Sequence, residues 1–236
     1  MLQQRVARLT TVRITLEGVT AGYGRHKVFE HLTLEVDTSS GPLAVAGENG
    51  SGKSTLLKLI AGILGASAGR VSYAPSRPAR LAYAPPFATC LPWLSASANL
   101  TLVSGDDSLA RQLAGRLDPH LLPRYGGRFP KQLSTGTRQK LTLLQALLSL
   151  DRKGRDGEHL LLLDEPTRGL DIPSRDRLAA ILRDFAGRGV AIVFVAHDPS
   201  FISDVGARQR IDLDRENGTL RTRFVPVERR ADDPAE

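Results

Sequence analysis

The stretch GENGSGKST, residues 47–55, follows the apolar run PLAVA and opens the pattern KSTLLKLIAG. Its spacing is G-x-x-x-x-G-K-[ST], set between a strand pattern and a helix pattern. The chemistry that suits it is phosphate binding. Glycines let the backbone curl until its N–H groups face phosphate oxygens. The candidate set is Gly47, Glu48, Asn49, Gly50, Ser51, Gly52, Lys53, Ser54 and Thr55. Lys53 would reach the β- and γ-phosphates, and Ser54 would offer its hydroxyl to Mg²⁺.

About a hundred residues later, LLLLDEP ends four leucines in two carboxylates, Asp164 and Glu165. Open α/β sheets bind ligands at the carboxyl ends of their strands. Asp164 would hold the hydration shell of Mg²⁺. Glu165 is the next residue, so on an extended strand it points elsewhere and could activate a water. VAIVFVAHDP places His197 at the end of another apolar run, where it could hydrogen-bond a γ-phosphate and hold the attacking water. A fourth stretch, KQLSTGTRQKLTLLQALLSL over 131–150, runs from hydroxyl and glycine residues straight into a helix pattern. A helix start presents free N–H groups and partial positive charge, so Ser134 is read as either a cap or half of an anion site.

These residues need a particular scaffold. VRITLEGV and HLTLEV alternate apolar and polar residues, the pattern of half-buried antiparallel strands. PLAVAG, HLLLLDE and VAIVFVAH are continuous apolar runs, as in strands covered on both faces of a parallel sheet. Periodicity predicts helices over 53–61, 108–117, 136–150 and 174–185. The expected class is α/β with mostly parallel pairing. Residues from about 88 to 149 show helix patterns without a clear strand, as an inserted helical subdomain would. Residues 151–159 read as a charged surface loop, and 226–236 as a polar tail.

The totals narrow the function. With 236 residues, 41% hydrophobic and 24% charged, one large domain has ample core. The 32 Lys and Arg against 25 Asp and Glu give a net charge of +7, which favours anionic partners. No long basic run gathers that charge, so it reads as scattered and solvated. Cys90 is the single cysteine, which excludes a disulfide framework and a cysteine metal cluster and fits a reducing cytosol. The N-terminus lacks an apolar signal core, and the longest apolar run, 190–196, is too short to span a bilayer. Work on a membrane would then require another chain to cross it.

In this order, the motifs resemble the nucleotide-binding subunit of ATP-binding cassette (ABC) transporters, over residues 12–225 as a single domain. The resemblance implies a P-loop NTPase fold with a mostly parallel core sheet, an antiparallel β subdomain and an inserted helical subdomain. It implies ATP and Mg²⁺ as cofactors and ATP hydrolysis as the activity. It implies a polytopic membrane permease as partner, attachment to the inner face of the cell membrane through that permease, and no nucleic acid. Tyr23 matches the aromatic that stacks on adenine. RGLD, ending at Asp171, matches a loop that crosses a dimer interface. LSTGT, 133–137, matches the signature loop, so Ser134 and Gly136 would face the γ-phosphate of a second subunit, in a head-to-tail dimer with itself or a related ATPase. Thr135 and Thr137 depart from the usual signature, Pro86 stands where the family usually has glutamine, and the loop at 151–159 is longer than usual. The alternative is a cassette serving DNA repair or translation, but such proteins usually carry two cassettes or a long coiled coil. A small-molecule kinase would leave the signature and the Asp-Glu pair unexplained.

Overall fold

The computed structural model describes residues 12–151, 157–216 and 219–227. Most of the loop expected at 151–159 and of the tail expected at 226–236 lies outside them, as do residues 1–11.

Two sheets carry the fold. β1 (Arg13–Tyr23), β2 (His26–Asp37) and β4 (Ala68–Ala74) form an antiparallel sheet in the order β2-β1-β4. The other strands are β3 (Leu43–Ala46), β5 (Arg80–Ala84), β6 (His159–Asp164), β7 (Val190–Val195), β8 (Gln209–Glu216) and β9 (Thr219–Pro226). They form a six-stranded sheet in the order β5-β6-β7-β3-β8-β9, parallel except for the β8–β9 hairpin. The expected mixture of a parallel core with an antiparallel sheet is therefore present.

The leucine run explains why β6 lies inside the sheet. Leu160, Leu161, Leu162 and Leu163 are all fully buried, which only a strand covered on both faces allows. Side chains alternate between faces. Leu160 and Leu162 share one cluster with Leu56, Leu57 and Ile60 of α1 (Lys53–Ala61) and with the antiparallel sheet. Leu161 and Leu163 share another with Leu141, Leu144 and Leu148 of α5 (Thr135–Leu150) and with Leu178 and Leu182 of α6 (Ile172–Gly187).

Between β5 and β6 the chain forms α2 (Ala96–Ser104), α3 (Asp107–Leu117), α4 (Leu121–Tyr125), a 3₁₀ turn at Pro130–Gln132, and α5. A short α7 (Pro199–Asp204) follows β7. The first helix starts at Lys53 as expected, whereas α3, α5 and α6 start one or two residues earlier than the periodic reading, because caps set them rather than apolar spacing. Asp106 accepts from the N–H groups of Ser108 and Leu109, Ser134 from Thr137, and Asp171 from Ser174. The polar row of α5 is used internally. Thr142 accepts from the N–H of Thr89 at 3.1 Å, and Gln145 donates to the side-chain oxygen of Asn99 at 3.4 Å. Fully buried Asn99 in turn donates to the carbonyls of Leu91, Leu94 and Ser95, pinning the entry into the subdomain.

Candidate nucleotide site

The phosphate loop leaves the carboxyl end of β3 and enters α1. Gly47 has φ 134°, and a Cβ there would lie 2.1 Å from the Leu213 carbonyl of neighbouring β8, so no side chain fits. Helices α2, α3, α5 and α6 are each capped by a side chain, whereas Gly52 gives α1 none. The first-turn N–H groups of α1 thus stay available to an anion. Ser51 Oγ is buried without a hydrogen-bond partner, a further donor at the same loop. Lys53 donates to the carbonyls of Gly47 and Glu48 at 2.8 and 2.7 Å, which holds its ammonium across the loop. Burial pushes the Lys53 pKa down, against the carboxylates of Glu165 and Asp164 nearby.

Parallel pairing of β3, β7 and β6 brings the other candidates to the same edge. Asp164 ends β6 and is 1% exposed. Ser54 donates to its Oδ1 at 3.0 Å, across 110 residues of chain. Tyr83 of β5 donates to its Oδ2 at 3.1 Å. Burial pushes the Asp164 carboxyl up. The hydrogen bonds from Ser54 and Tyr83 oppose this, and the charge of Glu165 adds to it. Burial also raises the Tyr83 phenol, so it remains a donor. The donor set fits Mg²⁺, which favours hard oxygen groups: the Ser54 hydroxyl and the Asp164 carboxylate stand side by side at this edge.

Glu165 corrects the sequence reading. It does not continue the strand: its φ is 51°, in the left-handed region that non-glycine residues rarely adopt. The turn there is why consecutive carboxylates can serve one edge. Glu165 Oε1 lies 3.8 Å from His197 Nε2, and Oε2 lies 3.8 Å from Arg168 Nη1. Such strained backbone clusters at functional sites. Tyr23, at the end of β1, is 47% exposed. Lys58 of α1 donates to its hydroxyl at 3.2 Å and sits 5.4 Å from its ring centroid, so the ring is tied to the phosphate-loop helix.

Ser134 and Gly136 lie elsewhere. They line a hollow of about 460 Å³ with Asp118, Lys140, Asp171 and Ser174, and no phosphate-loop residue lines it. Ser134 acts as the cap of α5, its Oγ accepting from the Thr137 N–H at 3.1 Å. Gly136 has a role that the sequence did not reveal. A Cβ there would meet the carbonyl of Gly169, in the RGLD stretch of the same chain, at 2.3 Å. Lys140, 7% exposed, ties the same elements by donating to Asp118 and Asp171, each at 2.8 Å. The Lys140 and Ser174 hydrogen bonds hold the Asp171 carboxyl far below the usual carboxylate range.

A family model described as ABC transporter matches residues 30–168. The aliphatic sulfonates import ATP-binding protein SsuB of Mycobacterium sp. (strain MCS) is 34% identical over 192 residues, 78% of this chain and 73% of that protein. The chain belongs to the ABC transporter family. Two more ABC relatives extend the comparison. The zinc import ATP-binding protein ZnuC of Cereibacter sphaeroides is 34% identical, covering 74% of this chain and 68% of its own length. The sulfate/thiosulfate import ATP-binding protein CysA of Nephroselmis olivacea is 31% identical, covering 78% of this chain and 55% of its own length. Among solved structures, a dimeric ATP-binding cassette bound to ADP and Pi after hydrolysis superimposes with TM-score 0.75 at 20% identity, over 91% of this chain and 99% of that one. These ABC relatives bear out the expectation of an ATP-binding, ATP-hydrolysing subunit and do not favour the DNA-repair or translation alternative. No helix among the described residues is long and apolar enough to cross a membrane.

Proposed function

We propose that the chain, as a single cassette over 12–225 with its helical subdomain at about 88–149, hydrolyses ATP as half of a head-to-tail dimer. The dimer drives a separate polytopic permease at the inner face of the cell membrane. The observation that carries this reading is the meeting at one sheet edge of Lys53, the Ser54–Asp164 pair and the Glu165–His197 pair. The loop 47–55 and Lys53 bind the phosphates. Ser54 and Asp164 would hold Mg²⁺, which neutralises charge on the transferring phosphoryl group. Glu165 takes a proton from the attacking water while His197 orients it. Ser134 and Gly136 line a hollow apart from the loop, which supports their use on a partner's nucleotide. The import names of the relatives support a permease partner.

Mixing subunits tests the dimer. Ser134→Arg blocks the signature and Lys53→Ala the phosphate loop, so a mixed head-to-tail pair retains one intact site of two. ATPase activity above that of either variant alone is the expected result. No activity above the two single variants would count against completion of the site across subunits.

Tyr23→Ala is expected to weaken ATP binding by about 1–3 kcal/mol, the usual worth of one base stacked on an aromatic ring. Every base has a π-face, so GTP should lose as much, while inorganic tripolyphosphate should bind unchanged. Titration of all three ligands checks this, and an equal loss for tripolyphosphate would assign Tyr23 to supporting α1 instead.

A further inference from the structure

A buried carboxylate keeps its charge only where donors meet it. Among the described residues Asp164 has two side-chain donors, on opposite oxygens. One is Ser54, already assigned to the metal. The other is the phenol of Tyr83, which neither the phosphate-loop pattern nor the strand-end carboxylates point to. Tyr83 comes from β5, the edge strand of the six-stranded sheet. Register pairs it with Leu162, so by the two-residue period Tyr83, Leu162 and Asp164 share a face. That is the face covered by Leu56 and Leu57 of α1, and the Tyr83 ring packs against the cluster they form. The ring is therefore held, and its hydroxyl is delivered from a fixed strand. Three residues on stands Pro86, whose side chain can neither donate nor accept a hydrogen bond. Among these two residues, β5 and its exit thus bring one polar group toward the carboxylate, at position 83.

Resting on the reading of Asp164 as a metal ligand, we infer that Tyr83 is a positioning residue for the divalent cation: its O–H holds Asp164 Oδ2 and so fixes the rotation that keeps Oδ1 beside Ser54. The carboxylate is gripped from two sides, by α1 through one oxygen and by β5 through the other. Ser54 is itself a candidate ligand, and would give a cation an oxygen lone pair while its O–H still donates to Oδ1. The phenol has no such second duty: it holds Oδ2 whether or not a cation is present. Partners of this kind, one step behind a ligand, typically change metal affinity by about 10–100-fold when removed.

The test is binding of a fluorescent ATP analogue to the full chain, wild type against Tyr83→Phe, titrated with Mg²⁺ and repeated in EDTA. Phenylalanine keeps the ring and its contacts, and circular dichroism verifies the fold. The half-saturating Mg²⁺ concentration is expected to rise about tenfold or more, with affinity in EDTA unchanged. Mn²⁺ in place of Mg²⁺, followed by the loss of its free electron-spin-resonance signal, should show the same displacement without any turnover. Superimposable Mg²⁺ curves overturn the inference. So does an equal loss with and without metal, which would give the phenol a general role in shaping the loop. A wild type whose nucleotide affinity ignores Mg²⁺ would instead overturn the assignment of Asp164, which a comparison of variants cannot be mistaken for.

Discussion

Replacing Glu165 with glutamine is expected to slow ATP hydrolysis by about 10²–10⁴-fold, the usual contribution of a positioned general base, while ATP still binds. Glutamine has the shape of glutamate and faces the same backbone demand at φ 51°, so the turn after β6 should survive. What it lacks is a basic oxygen. His197 Nε2, at 3.8 Å, would still stand beside residue 165 and could still orient a water, but residue 165 would no longer take its proton. Because ATP then persists, the closed dimer should accumulate, and gel filtration with ATP and Mg²⁺ would reveal it. A glutamine variant that turns over at the wild-type rate removes Glu165 from the chemistry. One that is inactive yet stays monomeric at saturating ATP would separate hydrolysis from dimerisation.

Lys53→Ala should act one step earlier, on binding. Hydrogen bonds to charged groups contribute about 1.5–3 kcal/mol each, so loss of the ammonium should weaken ATP about tenfold to a hundredfold. Lys53 also donates to the carbonyls of Gly47 and Glu48, so the alanine variant loses the strut across the loop as well as the charge. Two consequences should appear together in a thermal melt. The midpoint without ligand should fall slightly, and the rise that ATP gives the wild type should largely vanish, because stabilisation by a ligand follows its affinity. Wild-type ATP affinity in the alanine variant would remove Lys53 from the phosphate site.

Much of this site is legible in one sequence because its chemistry is local. The loop 47–55, the strand-end carboxylates and His197 each announce themselves within a few residues of an apolar run. What was not legible depends on distant backbone. Glu165 looks like the next residue of a strand, and only the turn that follows gives it φ 51°. Gly136 looks like a residue kept small for a ligand, yet the carbonyl it must clear belongs to Gly169. Tyr83 sits in RLAYA, too short and too mixed to announce a strand, and its reach to Asp164 follows from β5 pairing with β6 across the whole helical subdomain. Strand β8, QRIDLDRE, does alternate, but its charged positions, among them the Arg210–Asp212 pair, make the segment resemble a solvated loop.

The strand order carries a consequence for how the molecule comes into being. β3, which ends in the phosphate loop, is the fourth strand of the six and is flanked by β7 and β8. Its partners, Val193 to Val195 and Gln209 to Asp212, come about 150 residues later in the chain. During synthesis the loop therefore emerges well before the partners of its strand and waits, with no neighbour to hydrogen-bond β3 until β7 is made about 150 residues later. Pairings this distant in sequence carry a high loop-closure cost and form slowly. A nascent chain halted before β7 would hold the most recognisable motif of the sequence and yet lack the sheet that gives it shape.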